Sequence, residues 1–284
     1  MRNFIDFVRQ NFSTATPWLI LGKGPTYSLK PSFDISNYET IALNHVVREM
    51  PVTMCHLVDI EVLDSCSEQI RNNARFLVMP WVPHVNMMAG QMSLPSWIER
   101  YEILEHLNSE RRLLWYDLAT SSITNSFHPA IEAKYFSSEA VLGLLGQSGV
   151  KTIRSLGIDG GTSYSAEFSD LFTQTRLANG QPSFDLQFSQ FANLLNKYEF
   201  DYRPLHLEPI KIYIGGSEAE VLPSSVLEHS LKKHASMTIE CHRLCKSKIE
   251  IPEPRQQSNQ ARTPFSFQRF LIPELSNDQG KAIY

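Results

Sequence analysis

Five short apolar runs, each broken at once by a glycine, a proline or a polar residue, constrain this chain more than any other feature. They are Trp18-Leu19-Ile20-Leu21 before Gly22, Thr40-Ile41-Ala42-Leu43 before Asn44, Thr53-Met54-Cys55-His56-Leu57-Val58 before Asp59, Arg75-Phe76-Leu77-Val78-Met79 before Pro80, and 152–156 before Gly157. Runs this short, separated by stretches of helical periodicity, read as strands buried on both faces and joined by crossover helices. The expected fold is α/β, a Rossmann-like and mostly parallel sheet with helices on both faces. An apolar helix over 139–147 ends before Gly149, and residues 189–198 form an amphipathic helix. Ligands of such sheets sit beyond the carboxyl ends of the strands, so the residues that break the runs should face one cleft.

The pattern divides the chain into residues 1–208 and 209–284. Arg203-Pro204-Leu205 closes the first part. The second opens with a strand over 210–214, a Gly215-Gly216-Ser217 turn, a helix over 218–234 and an apolar stretch over 237–241. Residues 250–262 are polar and proline-bearing and read as a mobile loop. Gly280-Lys281-Ala282-Ile283-Tyr284 reads as the start of a buried strand, which creates the expectation of more protein beyond it.

Composition narrows the function classes. Apolar residues make up 42% and charged residues 20% of 284, ordinary values for a folded, soluble chain. A formal charge of −4 provides no basic face for nucleic acid. No run approaches the roughly 20 apolar residues that cross a bilayer, and Asp6 and Arg9 interrupt the first apolar stretch, so neither a transmembrane segment nor a secretory signal is expected. The four cysteines fit a reducing compartment. Cys241-His242-Arg243-Leu244-Cys245 resembles half a metal site, but without a second pair a structural role for the thiols is the better reading, and no metal is expected. The chain is placed in the cytoplasm, with a peripheral position at the inner membrane as an alternative.

Three segments carry candidate chemistry. Gly22-Lys23-Gly24-Pro25-Thr26 follows the first strand, where glycines let backbone amides approach a phosphate or sugar; it matches neither the P-loop nor the G-x-G-x-x-G pattern. Lys23 adds a positive charge, and a plain turn with a solvated lysine is the alternative. Gly157-Ile158-Asp159-Gly160-Gly161-Thr162-Ser163-Tyr164 gathers glycines, hydroxyls and a phenol suited to holding oxygen-rich groups without adding charge. Ser137 and Ser138 open the helix near Glu139, either to hold an anion or to cap the helix.

Taken in order, Gly22-Lys23-Gly24-Pro25-Thr26, Asn44, Ser137-Ser138, and Gly157-Ile158-Asp159 followed by Ser163-Tyr164 resemble the bacterial CMP-sialic acid sialyltransferases over residues 17–208. The resemblance implies that the first loop, Asn44 and the serine pair hold CMP, that Gly157, Asp159 and Gly160 belong to the same binding strand end, and that Tyr164 binds the phosphate leaving group. Two departures stand out. The family's loop asparagine is Lys23, and Leu177-Ala178-Asn179-Gly180-Gln181-Pro182 lacks the histidine that the family uses as base.

Transfer from a CMP-sugar needs a base on the acceptor hydroxyl. Asp59 and His84 stand at strand ends, and His128 in Ser126-Phe127-His128-Pro129 is the third candidate; each has a structural alternative. The CMP-activated sugars are mainly acidic ulosonates, and the departures from the sialyltransferase pattern favour Kdo over sialic acid. The expected partners are therefore a CMP-sugar donor and a glycan or lipid-linked glycan acceptor, with no further cofactor and metal-independent, inverting transfer in bacterial surface polysaccharide assembly. Two other readings remain: a nucleotide or pterin phosphotransferase with Asp59, Asp64 and Asp159 as metal ligands, and a nucleotide- or glycan-binding scaffold without catalysis.

Residues 209–284 carry a second resemblance. Ile210-Lys211-Ile212-Tyr213-Ile214-Gly215-Gly216-Ser217, Arg262-Thr263-Pro264-Phe265-Ser266-Phe267-Gln268-Arg269-Phe270 and Lys281-Ala282-Ile283-Tyr284 look like the opening part of a retaining transferase of the glycogenin and galactosyltransferase type. That family's Asp-x-Asp metal motif would follow Tyr284. The resemblance implies an incomplete, inactive unit and a missing C-terminal glycosyltransferase domain.

Overall fold

The computed structural model describes residues 1–121, 123–173, 176–207, 209–235, 239–247, 249, 256, 260, 266–276 and 282–284. Most of the 250–262 stretch, Met237 and Thr238, Gly280, and the Arg262-Thr263-Pro264-Phe265 and Lys281 portions of the second resemblance lie outside the described residues. The chain separates into two compact units, Met1–Leu205 and His206–Tyr284.

The first unit is α/β. In chain order it contains β1 (Arg2–Asn3), α1 (Phe4–Asn11), β2 (Trp18–Leu21), β3 (Glu39–Leu43), β4 (Val52–His56), α2 (Val62–Asn73), β5 (Ala74–Pro80), α3 (Leu94–Ile98), α4 (Glu102–Ser109), β6 (Leu113–Tyr116), α5 (Ser137–Gln147), β7 (Thr152–Leu156), α6 (Leu186–Tyr198) and β8 (Asp201–Pro204). The eight strands form one sheet in the order β1-β6-β5-β4-β3-β2-β7-β8, and every pairing is parallel.

Alternation along the strands builds two cores. Trp18, Ile20, Ile41, Met54 and Val78 point to one face, where they meet Phe4 and Val8 of α1, Val141 and Leu145 of α5, and Phe191 of α6. Leu19, Leu21, Ala42, Cys55 and Leu77 point to the other, against Leu63 and Ile70 of α2 and Leu104 and Leu107 of α4. Sequestering each large aliphatic side chain contributes about 1.5–3 kcal/mol, so helices on both faces are what a doubly apolar strand demands.

Strand order determines where a ligand can bind. From β2 the chain steps outward through β3, β4, β5 and β6, then returns to lay β7 against the opposite side of β2. Between β2 and β7 the crossovers diverge to opposite sides, leaving a crevice at the carboxyl ends. Three strands differ from the sequence expectation. The Leu113-Leu114-Trp115-Tyr116 run is β6, and Arg203-Pro204, expected to close the unit, lies in edge strand β8 beside β7. The short β1 completes the opposite edge.

The second unit contains β9 (Ile210–Ile214), α7 (Val221–His234), β10 (Ile239–Arg243), α8 (Ile272–Leu275) and β11 (Ala282–Ile283). Its parallel sheet has the order β10-β9-β11. The helix expected over 218–234 begins as a 3-10 turn at Glu218–Glu220 and becomes α-helical at Val221.

Candidate switch-point cleft

A cleft of about 630 Å³ opens at the carboxyl ends of the central strands of the first unit. Gly22, Lys23 and Gly24 border it from the end of β2, Asn44 from the end of β3, Asp59 from beyond β4, and Gly157 and Asp159 from the end of β7. His84, Ser137, Ser138 and Tyr164 line the same space. Residues up to 142 positions apart thus meet because eight parallel strands point their ends the same way.

The β2 and β7 loops are zipped together. Gly22 N–H donates to Leu156 O and Gly24 N–H to Gly157 O, both at 2.8 Å, and Ser165 N–H donates to Lys23 O at 2.7 Å. A side chain at residue 22 would run into the Gly157 carbonyl, and one at residue 24 into the Asp159 carboxylate. Both glycines are therefore required by close approach. Gly157 itself has φ +72°, a backbone region that glycine adopts without strain.

Thr26 serves the loop itself. Its amide and hydroxyl donate to Asp159 at 2.7 Å each, and its oxygen accepts the Gly157 N–H at 2.9 Å. The expectation that Thr26 contacts nucleotide is replaced by a bracing role. Pro25 is exposed and starts the 3-10 turn Pro25–Ser32, so it and Thr26 stand outside the cleft lining. Gly160 also stands outside it, packed so closely on Asp185 that a side chain would collide with the carboxylate.

The start of α5 is tied to the same loops. Ser138 is buried, and its hydroxyl donates to Gln187 at 2.6 Å; the Gln187 amide donates on to the Asp159 carbonyl at 2.9 Å. Glu139, fully buried, accepts the backbone N–H groups of Lys134, Tyr135 and Phe136 at 2.7–3.1 Å. Burial raises its carboxyl's affinity for a proton. Sequence reasoning missed Gln187, because a glutamine in the first turn of an amphipathic helix carries no local signal. The segment that lacks the family histidine also borders the cleft, through Leu177, Asn179 and Gln181, and Asn179 donates to the Tyr135 carbonyl at 2.8 Å.

Charge is unevenly distributed. Lys23 reaches over the Tyr164 ring, its Nζ lying 4.5 Å from the centroid, and Tyr164 in turn stacks on Phe184 at 5.7 Å. Burial lowers the lysine to about 8. On the β4 side, burial first and Glu61 second push the Asp59 carboxyl up to about 6, against a Met87 backbone N–H and Lys23 that oppose the rise. Asp59 Oδ1 is buried without a hydrogen-bond partner among the described residues. His84 lies beside Asp59 through a parallel backbone bridge, with its Nε2 2.9 Å from the Thr120 hydroxyl, and burial lowers its proton affinity. His45 is buried near Lys23, and desolvation with that cation depresses it to about 4. Asn44 adopts φ 53°, and its buried Oδ1 has no partner among the described residues.

His128 falls elsewhere. Its Nε2 lies 2.8 Å from Asp6 of α1, and it does not border the cleft, so the third base candidate is withdrawn. Asp59, Asp64 and Asp159 all border the cleft, yet Asp159 is engaged by Thr26 and Asp64 accepts the Tyr101 hydroxyl at 3.0 Å. Among the described residues no group of three His, Cys, Asp or Glu side chains is placed to hold a metal ion. Cys241 and Cys245, in the second unit, are free thiols.

The fold and cleft define the class: a doubly wound α/β protein with a cleft of mixed charge at its topological switch point. Comparison with known proteins goes little further. Over 79 residues, 27% of this chain and 30% of the other, the sequence is 33% identical to Protein CDI of Arabidopsis thaliana. The chain thus spans less than a third of the curated relative it matches. No family model and no solved structure matches. Among the described residues no helix is long and apolar enough to cross a membrane.

Proposed function

We propose that residues 1–208 form a CMP-sugar-dependent glycosyltransferase that moves an ulosonate, Kdo in preference to sialic acid, onto a glycan acceptor. The carrying observation is the convergence of Gly24, Asn44, Ser138 and Tyr164, four positions of the sialyltransferase-like motif set, on one cleft of about 630 Å³. A cleft of this size accommodates a nucleotide and a sugar.

The chemistry follows from the two sides of the cleft. Lys23, Ser137 at the start of α5 and Tyr164 face the CMP leaving group, where a cation and hydroxyls stabilise negative charge as it develops. On the other side Asp59 takes the acceptor proton. The acceptor oxygen bonds to the anomeric carbon as the bond from that carbon to the phosphate oxygen breaks, and CMP departs with the electron pair. A carboxyl near 6 is ionised at neutral pH and more basic than an ordinary aspartate, which favours Asp59 over His84 as base. The setting would be surface polysaccharide assembly at the cytoplasmic side of the inner membrane.

Calorimetry with CMP in the presence of a chelator tests the binding reading, and incubation with CMP-Kdo or CMP-sialic acid and glycan acceptors tests transfer. Saturable CMP binding without divalent ions, with CMP-dependent product formation, is expected. Binding of ATP and magnesium but not of CMP would overturn the reading in favour of phosphotransfer.

A further inference from the structure

The loop that crosses the switch point has one position at which side-chain chemistry can vary. Residues 22 and 24 cannot carry a Cβ beside Gly157 and Asp159, Pro25 faces solvent, and Thr26 is engaged by Asp159 and Gly157. Residue 23 alone presents a side chain to the cleft from this loop, and it is a lysine.

That lysine is held in position. Hydrogen bonds of 2.7–2.8 Å join Gly22, Lys23 and Gly24 to Leu156, Ser165 and Gly157, so the backbone from which its stem projects is clamped on both sides. Ser165 N–H bonds the Lys23 carbonyl and thereby brings the preceding residue, Tyr164, beside the lysine stem. The ammonium over the Tyr164 face is attracted by the ring quadrupole, which keeps a cation in the cleft where a water-exposed lysine would sample many rotamers. Ser137 and Ser138 at the start of α5 border the same space. A clamped cation and the positive end of a helix of 11 residues thus border one cleft.

We infer that Lys23 is the charge-selecting residue of the donor site: its ammonium pairs with the nucleotide phosphate, so that the phosphate rather than the base and ribose dominates affinity. The inference rests on the CMP reading and adds to it, because an amide at this position would bind the phosphate as a neutral donor and discriminate far less between nucleotide and nucleoside. An ionic hydrogen bond in a partly desolvated site is worth on the order of tenfold to a hundredfold in affinity.

The test is calorimetry of CMP and of cytidine with the full chain, for the wild type, Lys23→Gln and Lys23→Arg, at neutral pH with chelator. The wild type is expected to bind CMP at least tenfold more tightly than cytidine. Lys23→Gln should shrink that ratio toward unity by weakening CMP while sparing cytidine, and Lys23→Arg, which keeps the charge, should preserve it. An unchanged ratio in Lys23→Gln, or an equal loss in Lys23→Arg, would overturn the inference while leaving CMP binding intact. Failure of the wild type to bind either compound would instead overturn the nucleotide reading on which it rests.

Discussion

Thr26 and Asp159, 133 residues apart in sequence, are joined by two hydrogen bonds of 2.7 Å, from the threonine amide and from its hydroxyl. The threonine oxygen also accepts the Gly157 N–H at 2.9 Å, so one hydroxyl stitches the end of β2 to the end of β7. Everything proposed for the cleft depends on that seam staying closed.

Thr26→Val keeps the side-chain shape and removes the hydroxyl, leaving a carboxylate oxygen and a backbone N–H short of a partner. Loss of stability of about 1–3 kcal/mol is expected. Urea unfolding followed by circular dichroism should show a lower midpoint with an unchanged slope, the mark of a stability change rather than a change of denatured state. Wild-type midpoints would show that the seam carries no stability.

Gly24→Ala places a methyl against the Asp159 carboxylate, whose own Cβ would lie 2.9 Å away. The loops must part, and because Thr26 holds the same carboxylate the seam parts with them. CMP affinity should fall at least tenfold while the far-UV spectrum stays that of the wild type, since neither core contains residue 24. Retained affinity would show that the loop does not touch the nucleotide.

Asp59 links activity and stability to pH with opposite signs. Its carboxyl in the folded state stands near 6, above the ordinary 3.8, because burial and Glu61 outweigh the Met87 N–H and Lys23. Between those values the folded protein holds a proton that the unfolded chain releases, so this group's contribution to stability grows as pH falls through 6 and becomes a cost above it. Turnover should rise through about pH 6 as the carboxylate forms. Asp59→Asn should lower turnover by a factor on the order of a hundred and raise stability at pH 7 by about 1–2 kcal/mol. A variant with lowered stability and full turnover would remove Asp59 from the role of base.

Tyr164→Phe keeps the ring that stacks on Phe184 and faces Lys23, and removes the phenolic oxygen. Turnover is expected to drop about tenfold with a loss of stability below about 1 kcal/mol, whereas Tyr164→Ala should also unfold at lower denaturant because the buried ring is gone. Equal turnover in the wild type and Tyr164→Phe, measured at saturating donor, would take the hydroxyl out of the phosphate site.

Much of the architecture is legible in the chain. β2, β7 and β9 coincide with apolar runs that end at glycine, and β3, β4 and β5 with runs that end at Asn44, beyond His56 at Asp59, and at Pro80. The pattern is local because a strand buried on both faces must be apolar at successive positions. β6 has the same signature and can be read the same way, whereas β1 and β8 are polar edge strands whose existence depends on their neighbours.

By itself the sequence determined the central strands, the strand ends rich in glycine and polar residues, and therefore the side of the sheet on which a ligand could bind. Tertiary structure decided which of those ends meet. It made Thr26 a brace for Asp159, set Lys23 over Tyr164, joined Ser138 to Gln187, and turned His128 toward Asp6 outside the cleft. Backbone conformation and burial pattern are written within a few residues of one another, but the order of strands in a sheet is chosen by the packing of both faces at once. A side chain's partner across that sheet is a consequence of this order and has no counterpart in neighbouring sequence.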